Sequence, residues 1–141
     1  MKLFDSIEKI DLHSIQTPKE GAVMRWYCLV NELKPECVEE YRRAHLTMHE
    51  SPWKKQLEIL KKAGAEECIS FLNGTQTILF YRCEEINESF AALGKIEGRE
   101  AWDTYTLPMF ASSPRFDGSA SVTGVEKIFD LRQQLDGYLE V

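Results

Sequence analysis

Two strand-forming runs on either side of Asn73-Gly74 constrain this chain more than any other feature in it. Residues 67–72 (ECISFL) and 77–84 (TILFYRCE) are rich in β-branched and aromatic side chains. Asn-Gly between such runs is the strongest short hairpin signal, because the turn needs a positive φ that glycine adopts without strain. A lone hairpin is marginal in water, so the flanking chain must add strands and cover a face. Residues 23–32 (VMRWYCLVNE) read as such a strand, with Gly21 before and Pro35 after. Pro35 suits the first turn of a helix, where its missing N–H costs nothing, and Glu36, Glu39 and Glu40 favour the positive end of the dipole. That helix is expected over residues 35–48. Ser51-Pro52 then starts a second segment, carried by Trp53, Leu57, Ile59 and Leu60 to Lys62 and closed by Gly64, so a long helix kinked or broken at Ser-Pro is expected.

Beyond the hairpin, Asn87 is the expected cap of a helix through Phe90, Ala91 and Leu93. Residues 99–110 read as a further helical piece with Trp102, Tyr105 and Met109 on one side. Serine, proline and glycine crowd residues 111–123, the mark of a long loop. Residues 125–131 (VEKIFDL) alternate and read as a last strand. The order β-α-β-β-α-β is the α+β ferredoxin-like motif, a four-stranded antiparallel sheet with helices on one face. The other face needs cover, so a homodimer of the dimeric α/β-barrel type is expected. Residues 1–22 read as an N-terminal extension and 23–141 as a single domain.

Charge and composition narrow the function. The chain carries 17 Lys and Arg against 23 Asp and Glu, a net charge of −6. An acidic surface neutralises phosphates poorly, so charge alone argues against nucleic acid as a partner. No apolar run approaches the roughly 18 residues of a membrane span, and Met1-Lys2-Leu3-Phe4-Asp5 does not open a secretory leader. Cys28, Cys37, Cys68 and Cys83 form no C-x-x-C pair, which argues against a zinc ribbon or a thioredoxin-type site. Cys28, Cys68 and Cys83 fall in apolar runs and read as reduced, buried thiols in a cytoplasmic protein. G-x-G-x-x-G, P-loop and G-x-S-x-G motifs are absent from the sequence.

The candidate chemistry centres on His45 and His49, four residues apart, with Tyr41 one turn earlier. On a continuous helix this spacing sets all three on one stripe. Three readings stay open: zinc chelation, for which His-Leu-Thr-Met-His lacks the Glu of H-E-x-x-H; general acid–base work near neutral pH; and two surface or interface histidines. His13 lies in the extension and is assigned no role. Trp26, Trp53 and Trp102 are core residues or walls for the apolar C–H face of a ligand such as a sugar.

At Glu39-Glu40-Tyr41-Arg42-Arg43-Ala44-His45 the chain resembles the L-rhamnose mutarotase family. Leu33-Lys34-Pro35-Glu36, Trp53, Leu57-Glu58-Ile59-Leu60-Lys61-Lys62-Ala63-Gly64, Ser70-Phe71-Leu72, Thr106-Leu107-Pro108-Met109 and Glu126-Lys127-Ile128-Phe129-Asp130-Leu131 continue it. The resemblance implies a ferredoxin-like unit that dimerises through its sheets. It also implies cofactor-free, metal-free interconversion of the α and β anomers of a 6-deoxy-aldopyranose. The family's Tyr-x-x-x-His matches Tyr41 and His45, implying His45 as acid/base and Tyr41 as a sugar contact. A family tyrosine at the start of the second strand is Cys68 here, and a Trp-Trp pair is Ala101-Trp102, leaving Cys68 and Trp102 as substrate-side positions. The family helix is shorter by about one turn, and His49 keeps the family's spacing of four before a tryptophan (Trp53), so both His45 and His49 stand as candidates for the acid/base. Other readings are a sugar-binding homologue without catalysis and a cofactor-free oxygenase of the dimeric α/β-barrel type.

Overall fold

A computed structural model of the chain describes residues 21–112 and 124–137. Strand β1 (Arg25–Glu32) leads through a 3-10 turn (Pro35–Cys37) into helix α1 (Val38–Leu46). A second 3-10 turn (Pro52–Lys54) opens α2 (Lys55–Lys62), and the hairpin follows as β2 (Glu67–Asn73) and β3 (Gln76–Cys83). Helices α3 (Ile86–Lys95) and α4 (Arg99–Thr106), a third 3-10 turn (Leu107–Met109) and helix α5 (Leu131–Leu135) complete the described elements. The expected extension falls almost wholly outside the described residues, as does most of the 111–123 loop.

The strands pair antiparallel in the order β1-β3-β2. Gly74 takes φ +63° and Asn73 pairs with Gln76, so the glycine holds the first central position of the hairpin turn, as a II′ turn requires. Register then assigns the faces. Tyr27, Leu29 and Asn31 stand opposite Tyr81, Leu79 and Thr77, and Cys68 and Ser70 stand opposite Tyr81 and Leu79, so these side chains share one face. Helices cover that face: Ile59 and Ala63 of the α2 region and Ile86, Phe90 and Leu93 of α3 join Leu29, Tyr81 and Cys83 in the main core. A smaller core of Leu33, Met109 and Phe110 closes the other end, tied by an isolated Leu33–Phe110 bridge. The opposite sheet face leaves Val30, Ile69, Phe71 and Phe80 exposed. This is the ferredoxin-like layering of the expected fold.

Several local expectations are corrected. The first helix stops at Leu46, and residues 47–50 form a turn. Thr47 Oγ1 donates back to Arg43 O at 2.7 Å, and Pro52 forces Ser51 into extended backbone, φ −95° and ψ 176°. His45 and His49 therefore do not share a helical stripe. Glu85, whose side chain accepts from the Glu88 N–H, caps α3 in place of Asn87. The last strand is not a strand: among the described residues the sheet has three strands, and residues 124–130 meet β1 through one backbone hydrogen bond, Val125 N–H to Cys28 O at 2.8 Å. The alternation of 125–131 buries neither of its sets, with Val125 and Phe129 more than half exposed, so no apolar face holds a register. Asp130 instead caps α5 by accepting from Gln133 N–H. Of the three thiols expected to be buried, Cys83 is buried, Cys28 is half-buried and Cys68 is exposed; Cys37 is half-buried. Among the described residues no helix is long and apolar enough to cross a membrane.

Candidate active site

Between the two cores the helices and sheet leave a cavity of about 100 Å³. Water occupies roughly 10–15 Å³ on the same measure, so the space is that of a small molecule and not of one solvent. Asn31, Cys68, Ser70 and Thr77 give its sheet floor polar groups and Leu79 an apolar one, while Leu60 of α2 and Phe90 and Leu93 of α3 line it with apolar side chains. Tyr41 and His45 enter from α1, and Arg99, Trp102 and Thr106 from α4.

Helix geometry fixes the imidazole. His45 Nδ1 lies 2.8 Å from Tyr41 O, one turn back on α1. A carbonyl only accepts, so Nδ1 carries the hydrogen and Nε2 of the neutral ring keeps its lone pair. The ring stands 4.1 Å from the Tyr41 ring and meets Trp102 edge-on at 5.2 Å. Trp102 is held in turn by Trp53 at 5.4 Å, and Trp53 stacks on Tyr105 at 5.1 Å and 13°. Tyr105 OH donates to Glu40 Oε1 at 3.0 Å, tying α4 to α1. Burial lowers the His45 pKa below its ordinary 6.5; the Tyr41 carbonyl partly opposes this and the Arg99 charge reinforces it. The ring is therefore neutral at neutral pH, in the form that accepts a proton.

The other wall groups hold their protons. Burial pushes the Tyr41 phenol up to about 12 and the Cys68 thiol up to about 11. Cys68 is exposed as a residue of the edge strand, while its inner side faces the crowded cavity, and that crowding disfavours the thiolate. Ser89 Oγ donates to Ala63 O at 2.7 Å, which uses its one hydrogen, so the contact of 2.7 Å with Tyr81 is a bond donated by the phenol.

Tyr41, His45, Cys68 and Trp102 thus line one cavity. His49 does not join them: it lies in the turn after α1, its Nε2 3.5 Å from Glu50 Oε1, away from the cavity wall. Among the described residues no group of three or more His, Cys, Asp and Glu side chains is placed to hold a metal ion. Sequence reasoning missed Arg99, Asn31, Ser70, Thr77 and Thr106. Strand alternation around Cys68 and Leu79 was a signal for Ser70 and Thr77. A single arginine at a helix start carried none.

The model of the L-rhamnose mutarotase family matches residues 26–131. The crystal structure of an L-rhamnose mutarotase from Formosa agariphila superposes with a TM-score of 0.55 at 16% identity, covering 76% of this chain and 98% of that one. At that identity the likeness speaks for the fold. No curated protein sequence matches the chain.

Proposed function

The chain belongs to the L-rhamnose mutarotase family, and from that premise we propose that it interconverts the α and β anomers of a 6-deoxy-aldopyranose such as L-rhamnose, with His45 moving the protons. His45 Nε2 takes the proton of the anomeric hydroxyl as the bond between C1 and the ring oxygen breaks. The O–H electron pair becomes the second bond of the aldehyde, and the ring oxygen leaves with its bonding pair and receives the proton back from Nε2–H. Rotation about C1–C2 turns the other aldehyde face to the hydroxyl, and the reverse steps close the ring as the second anomer. The protons balance, and a positioned acid/base of this kind is worth roughly 10²–10⁴-fold.

One observation carries the reading: a neutral imidazole with Nδ1–H committed to Tyr41 O, and so a basic Nε2, on the wall of a cavity scaled to a monosaccharide. Trp102 supplies a face for the apolar C–H side of the ring. The Tyr41 phenol, protonated at any ordinary pH, is a donor or acceptor for a sugar hydroxyl. Saturation-transfer NMR on L-rhamnose tests the proposal, with exchange between the anomeric protons expected above the buffer rate. No acceleration with rhamnose, fucose or other 6-deoxy sugars at high protein concentration overturns it.

The working unit under this proposal is a homodimer. Val30, Ile69, Phe71 and Phe80 are 36–55% exposed on one sheet face, with Ile69 opposite Phe80 and both Val30 and Phe71 opposite Ile78. A contiguous apolar face of this kind is the surface a second copy would cover.

A further inference from the structure

Arg99 stands apart on the cavity wall. It is the one formally charged side chain lining that space among the described residues, and it is only 8% exposed. Two neighbours hold one side of it. Nε donates to Asp103 Oδ1 at 3.1 Å and Nη1 to Gln56 Oε1 at 3.4 Å. Gln56 is itself fixed, its Nε2 donating to Gly98 O at 3.0 Å. Neither Asp103 nor Gln56 lines the cavity, so the paired side of the guanidinium faces protein and the remaining side faces the hollow. A guanidinium has five N–H donors. Three of them, both on Nη2 and one on Nη1, meet no acceptor among the described residues. A buried charged group with donors unmet is unfavourable unless something else accepts from it.

We propose that Arg99 is a substrate-binding residue of this chain, its open N–H edge docking a pair of adjacent oxygens on the sugar while His45 works at the anomeric carbon. The inference rests on the cavity being a sugar site. A planar fork matches two neighbouring oxygens, whether vicinal hydroxyls of a neutral aldose or the carboxylate of an acidic one. Asp103 already opposes the charge, so vicinal hydroxyls satisfy the fork without a second negative charge, and the neutral aldose is the ligand favoured.

The test compares wild type with R99M and R99K. L-rhamnose, its analogues each lacking one ring hydroxyl, and a hexuronate are titrated by sugar-dependent thermal stabilisation, and turnover is read by NMR. R99M is expected to weaken sugar binding on the order of ten- to a hundredfold, in KM far more than in kcat. Removing the hydroxyl that Arg99 docks weakens the wild type by a similar factor and leaves R99M unchanged. R99K keeps the charge and loses the fork, so it follows R99M, and it carries the comparison if R99M fails to fold. A wild-type preference for the hexuronate that R99M and R99K lose also supports docking and identifies the oxygens as a carboxylate. Folded variants that bind every analogue as tightly as wild type, or that lose kcat alone, overturn the proposal. Sugar turnover by wild type with both variants unaffected sinks the docking alone, whereas a wild type that binds no sugar sinks the sugar site and the docking together.

Discussion

Replacing His45 by Asn tests the proposed chemistry and the electrostatics of the site in one variant. Without the imidazole, anomer exchange is expected to fall by about 10²–10⁴-fold, which at 1.36 kcal/mol per tenfold is about 3–5 kcal/mol of barrier. The same change removes ring contacts at 4.1 Å to Tyr41 and 5.2 Å to Trp102, each worth about 0.5–1.5 kcal/mol, so the variant loses about 1–3 kcal/mol of stability at neutral pH. The pH dependence follows from the lowered His45 pKa. In the window beneath 6.5 the unfolded chain takes up a proton that the folded chain does not. The stability due to neutral His45 is therefore complete above 6.5 and is lost as pH falls through 6.5 toward the folded value, by at most about 1.4 kcal/mol per pH unit. His45→Asn has no such slope, so the gap between wild type and variant narrows on acidification. Urea melts between about pH 7.5 and 5.5, with saturation-transfer NMR on the same samples, measure both effects. A gap that stays constant across that range refutes the electrostatic argument. Exchange retained by His45→Asn and lost by His49→Asn moves the chemistry to His49 and refutes the assignment of His45.

Two further changes probe the scaffold and one the assembly. Ser89→Ala strands both the Tyr81 O–H and the Ala63 carbonyl, for about 2–4 kcal/mol, while Tyr81→Phe removes one donor, for about 0.5–1.5 kcal/mol; denaturant melts showing Tyr81→Phe the worse of the two would contradict the assigned bond direction. Gly98→Ala is expected to destabilise by about 1–2 kcal/mol, because φ is +100° and the added Cβ would stand 3.3 Å from Ile59 Cδ1, and an unchanged melting temperature argues against that strain. Phe71→Glu on the exposed sheet face is expected to turn a dimer into a monomer by light scattering at micromolar concentration, and a monomeric wild type would remove the premise.

Local chemistry was enough to determine the hairpin, the α1 and α2 segments and the convergence of Tyr41 with His45. Turn preferences, proline placement and periodicity act over a few residues, and a tyrosine and a histidine four apart meet wherever a helix joins them. Family resemblance added Cys68 and Trp102. Everything that depended on distant partners was decided by the tertiary structure. Whether His49 belonged to the site turned on where α1 ended, and that was set by Thr47 bonding back and by Ser51 yielding to Pro52. Residues 125–131 alternate like a strand, yet pairing needs a neighbour in register and a face to bury, and one hydrogen bond to Cys28 supplies neither. The cavity exists because two cores pack at opposite ends of one sheet. Arg99 lines it because Gln56, 43 residues earlier, and Asp103 hold its other edge. Desolvation and long-range packing leave no periodic trace in a sequence, so the charge on the cavity wall became visible only once the chain had folded.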